Sequence, residues 1–367
     1  SRGLGDVYKR QGHRLHTAAI GGPQDEGPAA DALARHLGHP LTTTPFSPEM
    51  VLADWARGTW HHEAPIVTHL NALPLARVAA SVRAEGIKAV LTGEGADELF
   101  AGYPTMAADR QLALLKAPYR VLQRAYGLVP GLAERVLPGG PSQEHYLAAL
   151  SDDFETARLG LDADDAFGHL GPADARHGVL TYVALQGHLR TLLHRNDRMG
   201  MQHSVECRFP YLDEDVVRFG LNLPQRHKLA LTGRLHDRKH PFVLDKAALR
   251  DVAARRRLPG ARLAKAGFPS WGHVDMRVDA GLFRGGWVAD ALELSDAALL
   301  HLTERESPYH VAKLASVEVF GALFDAHQSI EAVQERLQRH VRMVGRASPV
   351  GSPPRGAVAW TRWRSPI

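Results

Sequence analysis

Val90-Leu91-Thr92-Gly93-Glu94-Gly95-Ala96-Asp97-Glu98-Leu99-Phe100-Ala101-Gly102-Tyr103 is the stretch whose reading decides the fold. The mostly apolar run Ile87 to Leu91 reads as a buried strand. It stops at a Gly-x-Gly turn, and three acids, Glu94, Asp97 and Glu98, fall within five residues. Glycines let the backbone turn sharply and let a ligand come close to it. Acids crowded at such a turn repel one another unless something positive stands there: a metal ion, a cationic side chain or a protonated substrate. The simpler alternative is that the acids only begin a helix, where its positive end favours them. As a ligand mouth, the turn would stand at the carboxyl end of a strand, where open α/β sheets bind.

Upstream, Leu15 to Ile20 reads as a strand. It is followed by a helix over Pro28–Leu37 closed by Gly38, a second strand over Leu41–Phe46, a helix begun by Ser47 and Glu49 and running to Trp60, and a helix over Pro74–Glu85. Strands alternating with helices imply an α/β, doubly wound parallel sheet. Downstream, Gln111–Tyr126, Gln143–Leu150, Gly178–Arg195, Val216–Asn222, Phe242–Arg257 and Val311–Ala326 read as helices, with no convincing strand, so the second half is expected to be a helical C-terminal lobe. Residues 1–11 read as a leader foreign to the fold, and 336–367 as a basic, disordered tail carrying Arg336, Arg339, Arg342, Arg346, Arg355, Arg362 and Arg364.

The turn closely resembles the L-S/T-G-E-G-A/S-D-E-x-F-G-G-Y signature of the synthetase domain of glutamine-dependent asparagine synthetases, amide-forming enzymes of the ATP-pyrophosphatase type. Two later segments support the resemblance. The segment Arg195-Asn196-Asp197-Arg198-Met199-Gly200-Met201-Gln202-His203-Ser204-Val205-Glu206-Cys207-Arg208-Phe209-Pro210-Tyr211-Leu212-Asp213 is similar nearly throughout to the family's D-R-x-S-M-x-x-S-x-E-x-R-x-P-F-L-D, with Gly200 for Ser and Tyr211 for Phe. Arg262-Leu263-Ala264-Lys265-Ala266-Gly267-Phe268 is similar to its R-x-x-K-x-G-F loop. The resemblance covers about residues 12–275 and implies an adenine nucleotide alpha-hydrolase-like domain over 12–335, with the α/β part at 12–104 and the helical part at 105–335.

By that resemblance the enzyme uses ATP and Mg2+. The side-chain carboxylate of aspartate attacks the α-phosphate, giving an acyl-adenylate and pyrophosphate, and glutamine-derived ammonia displaces AMP to give asparagine. Glu94 would take a proton from ammonium or stabilise the cationic intermediate. Asp97 would help hold magnesium, and Glu98 would assist it or brace the turn. Ile20 would pack on adenine, Thr92 and Gly93 would offer it backbone groups, and Lys265 would neutralise phosphate charge. Arg198, whose residue type grips carboxylates or phosphates, would contact anionic substrate or form a structural ion pair. Glu206 and Arg208 read as a structural pair.

Gly21-Gly22-Pro23-Gln24-Asp25 lacks the serines of the family's S-G-G-x-D-S pyrophosphate loop. That loop, the first strand and the N-terminal glutaminase domain are not found in the chain, so an N-terminally truncated, inactive fragment is expected. A related amidotransferase, a β-lactam synthetase-like ligase on the same fold and a degenerate nucleotide-binding protein stay open as alternatives. The single cysteine, Cys207, excludes an internal disulfide and a cysteine-rich zinc site and suits a reducing cytosol, hence a cytoplasmic expectation. It reads as a small apolar residue. His61, His62 and His69 read as ordinary loop histidines rather than metal ligands. The resemblance implies small-molecule partners; with no nucleic-acid motif beside the net charge of +4 and no apolar span, neither nucleic acid nor membrane is expected, and a homodimer stays open.

Overall fold

The computed structural model describes residues 14–19, 25–66, 71–107, 110, 162–233, 242–261, 263 and 276–343. Ile20, Lys265, His69, residues 1–11 and the two helices expected over 111–126 and 143–150 lie outside the described residues. The chain divides into two units, one of Ser1–Ser47 and Arg57–Pro269, the other of Pro48–Ala56 and Ser270–Ile367.

In the first unit, β1 (Leu15–Ala19) leads to α1 (Gly27–Leu37) and β2 (Leu41–Pro45). Gly38 ends α1 in the left-handed region at φ 69°, and its N–H returns to the carbonyls of Ala34 and Arg35, as the sequence predicts. Helix α2 (Pro48–His62) begins after Ser47, its Pro48–Ala56 stretch belonging to the second unit, and α3 (Ala72–Ala84) leads to β3 (Ala89–Leu91) and the short α4 (Ala96–Phe100). A long helical run follows: α5 (Pro172–Val183), a π-helical segment (Ala184–Leu189) and α6 (Arg190–Met201). The unit continues with β4 (Glu206–Arg208), α7 (Glu214–Asn222), α8 (Gln225–Lys228), the antiparallel β5 (Ala230–Leu231) and β6 (Val243–Leu244), and α9 (Ala247–Arg255).

Among the described residues of the first unit, two strand pairings are parallel and one, β5 with β6, is antiparallel. β1 pairs with β2 and β3 with β4, and among the described residues these are two separate two-stranded ladders rather than one continuous sheet. β4 also corrects the expectation that no strand follows Tyr103. The register sets Ala89 against Glu206 and Leu91 against Arg208. Helix α3 holds the elements that bear the turn. Its Ala79 and Val82 pack with Val205, Val78, Ile87 and Val90, and its Ala72 and Ala76 pack on Met199 of α6. Removing such side chains from water contributes about 1.5–3 kcal/mol for each large one.

The second unit contains α10 (Pro308–Phe324), α11 (Ile330–His340) and an antiparallel pair, β7 (Met276–Val278) with β8 (Val341–Met343). Residues 336–343 are therefore folded, which corrects the start of the expected tail. Arg336 donates to Leu282 O and lies 3.1 Å from the buried Glu318 carboxylate, which also accepts from the N–H groups of Trp287 and Val288. Among the described residues no helix is long and apolar enough to cross a membrane.

Candidate active site

The carboxyl ends of β3 and β4 lie side by side, and Thr92 N donates to Arg208 O at 2.9 Å, so the chain leaves β3 directly into the acidic turn. Gly95 stands at φ 93°, and a Cβ there would come within 2.6 Å of Leu212 Cδ2; the turn closes here only with glycine. Gly93 is different: a Cβ there would meet nothing within 4 Å, which leaves its backbone open to an incoming group. Thr92 Oγ1, just before it, has no hydrogen-bond partner. After α4, Gly102 N donates to Asp97 O at 2.8 Å, and a side chain at Gly102 would run into Asp97 Oδ1.

Each acid of the turn has its own partner. Glu94 Oε1 accepts from Arg195 Nη2 at 2.5 Å and from Asn196 Nδ2 at 3.1 Å. Arg195 also donates to Asn196 Oδ1, from Nε at 3.2 Å and from Nη2 at 3.0 Å, so the pair forms a buried bracket with Glu94 at its mouth. Burial lowers the pKa of the Arg195 guanidinium, and the Glu94 carboxylate opposes that shift. Asp97 Oδ1 lies 2.8 Å from Lys246 Nζ. Glu98 is 1% exposed and accepts a short hydrogen bond from the Tyr103 hydroxyl. Burial raises the Glu98 carboxyl above its usual range, and burial next to that charge raises the Tyr103 hydroxyl, so Tyr103 remains a donor. Of the three ways to relieve the crowding, the fold supplies cationic side chains for two acids and a phenol for the third.

Those partners bear on the expected metal site. Among the described residues no group of three or more His, Cys, Asp or Glu is placed to hold an ion. Glu98 is enclosed behind Tyr103, which fits a brace. Asp97, partly exposed, is the acid of the expected pair that a magnesium ion brought in by phosphates could reach, since Mg2+ commonly binds through one or two carboxylates plus substrate oxygens.

The expected site residues divide as follows. Thr92, Gly93, Glu94, Asp97 and Glu98 share the turn. Arg198, one helical step beyond Arg195 on α6, pairs instead with Glu63 at 2.8 Å, both side chains being well exposed. Glu63 caps α2 at φ 54°, and the end of that helix is fastened to α6 by a 2.8 Å contact between His194 Nε2 and His62 O and by edge-to-face packing of the two rings. His62 is therefore a buried residue of the last helical turn, not a loop histidine. Burial, helped by His194, holds its pKa down at about 4. Glu206 and Arg208 do form the expected exposed pair, at 3.0 Å.

Sequence reading missed Arg195, Asn196, Lys246 and Tyr103 as partners of the acids. Arg195 and Asn196 stand directly before the Asp197-Arg198 motif, an adjacency that could have indicated them; Lys246 carries no local signal. The Cys207 thiol donates to Asn196 O at 3.3 Å, and burial raises its pKa to about 11, as suits an unreactive residue behind the bracket. Gly200, which stands where the motif has Ser, has a steric reason: a Cβ would lie 2.5 Å from Val205 O and 3.0 Å from Cys207 Sγ.

Lys265 lies outside the described residues, but the chain leading toward it is anchored. Asp245, beside Lys246, takes Arg250 Nη2 at 2.6 Å, and Arg250 Nη1 donates to Leu263 O at 2.6 Å. A relay of contacts thus runs from Asp97 through Lys246 and Arg250 to Leu263.

The family described as asparagine synthase matches residues 6–346. Among curated proteins, the chain is 25% identical over 261 residues to amidase chyE of Penicillium rubens, covering 61% of this chain and 38% of that protein. It is 28% identical over 170 residues to glutamine-hydrolysing asparagine synthetase 3 of Bacillus subtilis (43% and 23%). It is 36% identical over 92 residues to asparagine synthetase B of Escherichia coli (24% and 17%). The chain thus matches well under half the length of each.

Proposed function

Because the chain belongs to the asparagine synthase family, we propose that it is the synthetase part of a ligase that forms an amide from a carboxylate and a nitrogen nucleophile by way of ATP, with aspartate and glutamine-derived ammonia as the reactants. The observation that carries this reading is the bracket of Arg195 and Asn196 around Glu94 Oε1. It fixes one oxygen of a partly exposed carboxylate, and among the described residues no hydrogen bond or ion pair holds Oε2. A carboxylate so held can accept a proton from the attacking nitrogen or face the positive charge that develops on it.

The carboxylate substrate would attack the α-phosphate of magnesium-bound ATP and release pyrophosphate; the amine would then attack the acyl carbon and displace AMP. The chain's own part is to position and to balance charge. The open backbone at Gly93, with Thr92, would receive the adenine, Ile20 would line its face, and Lys265 would meet the phosphates. Asp97 would meet the magnesium. Arg198, turned to Glu63, would act on substrate only by leaving that pair; otherwise it positions the end of α2.

Carboxylate-dependent exchange between ATP and labelled pyrophosphate tests the reading, run on the polypeptide from the complete reading frame with aspartate and then with other carboxylates. Exchange with aspartate, followed by AMP release on adding ammonia, is the expected result, and absence of exchange with every carboxylate overturns it. The similarity to amidases beside that to asparagine synthetases supports one second reading, a different carboxylate or amine on the same chemistry. Exchange with another acid in place of aspartate would select it.

A further inference from the structure

A second cluster of polar groups lies away from the acidic turn, where α5 meets α8. Asp174, His177 and Thr181 share one face of α5 by their spacing, and Gln225 and Lys228 share one face of α8. The elements are locked together: Gln225 N donates to Asp174 Oδ1 at 2.7 Å, and Arg110 Nη1 donates to Gln225 Oε1 at 2.7 Å. His177, Thr181 and Lys228 are 3%, 2% and 1% exposed.

The members of the cluster share a lack of partners in one place. Neither ring nitrogen of His177, nor Thr181 Oγ1, nor Arg110 Nε has a hydrogen-bond partner. Among the described residues Lys228 makes no ion pair and no hydrogen bond. Interiors satisfy such groups almost without exception, so each orphan needs an account. The unmatched groups are donors, apart from the imidazole lone pair and the hydroxyl oxygen. Among the described residues the charges around His177 are two cations, Arg110 and Lys228, and one carboxylate, Asp174. Burial with Lys228 and Arg110 nearby lowers the His177 pKa to about 3, against the pull of Asp174; burial lowers that of Lys228 to about 8.

We infer that this junction is a buried binding site for a small inorganic anion of chloride size, held by Arg110, His177, Thr181 and Lys228. A water molecule would satisfy two donors but would leave its own hydrogens short of acceptors and the excess positive charge unmatched. An anion supplies only acceptors and supplies the missing charge. The enclosure of the three α5 and α8 side chains sets its size. The inference is independent of the amide-forming reading, since none of these residues belongs to the acidic turn.

Thermal unfolding of the full chain tests it, with bromide compared against gluconate at equal ionic strength. A ligand of the folded state raises the midpoint with its concentration. Gluconate is too large to enter, so bromide should raise the midpoint and gluconate should not, and Lys228→Met should abolish the difference. Equal effects of the two anions, or a bromide shift that persists in Lys228→Met, would overturn the site. If Lys228→Met fails to fold, the unaltered chain still decides. Crystals soaked in bromide should show anomalous scattering between His177 and Lys228, and water or no density there refutes the inference.

Discussion

Lys246 Nζ stands 2.8 Å from Asp97 Oδ1, and the residue that makes this contact has a left-handed backbone at φ 47° immediately before α9. A non-glycine residue accepts that conformation when surrounding contacts hold it there. Here the neighbouring Asp245–Arg250 pair fixes one side and Asp97 the other. Lys246→Met should therefore destabilise the first unit by about 1–2 kcal/mol, between the values for exposed and for buried pairs. Urea unfolding of Lys246→Met, Asp97→Asn and the double variant measures it, and a coupling near zero would remove the pair from the account of the turn.

Glu94→Gln keeps a side chain that Asn196 and Arg195 can still hold but removes the negative charge. Nucleotide binding should change by less than about 2-fold, while amide formation falls by about 100-fold or more, the usual range for losing a group that acts on a proton in the transition state. Isothermal titration with ATP beside a turnover assay checks the split. Normal turnover would remove Glu94 from the chemistry.

Arg195→Lys preserves charge but not the planar fork that reaches both Glu94 and Asn196. Turnover should drop by about 10-fold or more with the pH profile altered, because the carboxylate is then held by Asn196 alone. An unchanged profile with an unchanged rate would mean that the bracket only packs.

Gly200→Ser restores the residue found at this place in the motif, yet it should destabilise the chain by about 1–3 kcal/mol, the range for overpacking a filled interior. The nearer obstacle is the Val205 carbonyl rather than the Cys207 sulfur. Adding Cys207→Ala should therefore recover only part of the loss. Full recovery in denaturant titrations would show that the sulfur alone sets the limit.

His62 is held neutral, with a pKa near 4 against 6.5 for the free side chain, by burial and by His194, Arg195 and Arg198 around it. The unfolded chain then binds more protons than the folded one between those values. Stability should fall as pH drops from about 6.5 toward 4 and gain no further loss from this residue below that. His62→Gln should flatten that limb in unfolding curves taken across the range.

The turn was legible in the sequence because its determinants are local: glycines that permit the bend and acids counted along a few residues. The countercharges were not, because Lys246 and Arg195 reach the turn only through tertiary folding. β4 escaped notice since Glu206-Cys207-Arg208 offers one apolar residue between two charged ones, and only its pairing with β3 makes it a strand. The arginines after residue 335 read as a solvated charge run, whereas Arg336 is folded back on Glu318 and Leu282. Gly200 for Ser carries no local signal of its own; the distance to Val205 O gives it meaning.

The widened turns at Ala184–Leu189 set the rotational phase between the two ends of the long helix. If these six residues tightened to ordinary α geometry with none lost, everything beyond them would swing by about 100°. The guanidinium that grips Glu94 would then point elsewhere while α5 kept its own seat. The wide winding of this short span thus aims that grip, whatever side chains the span carries.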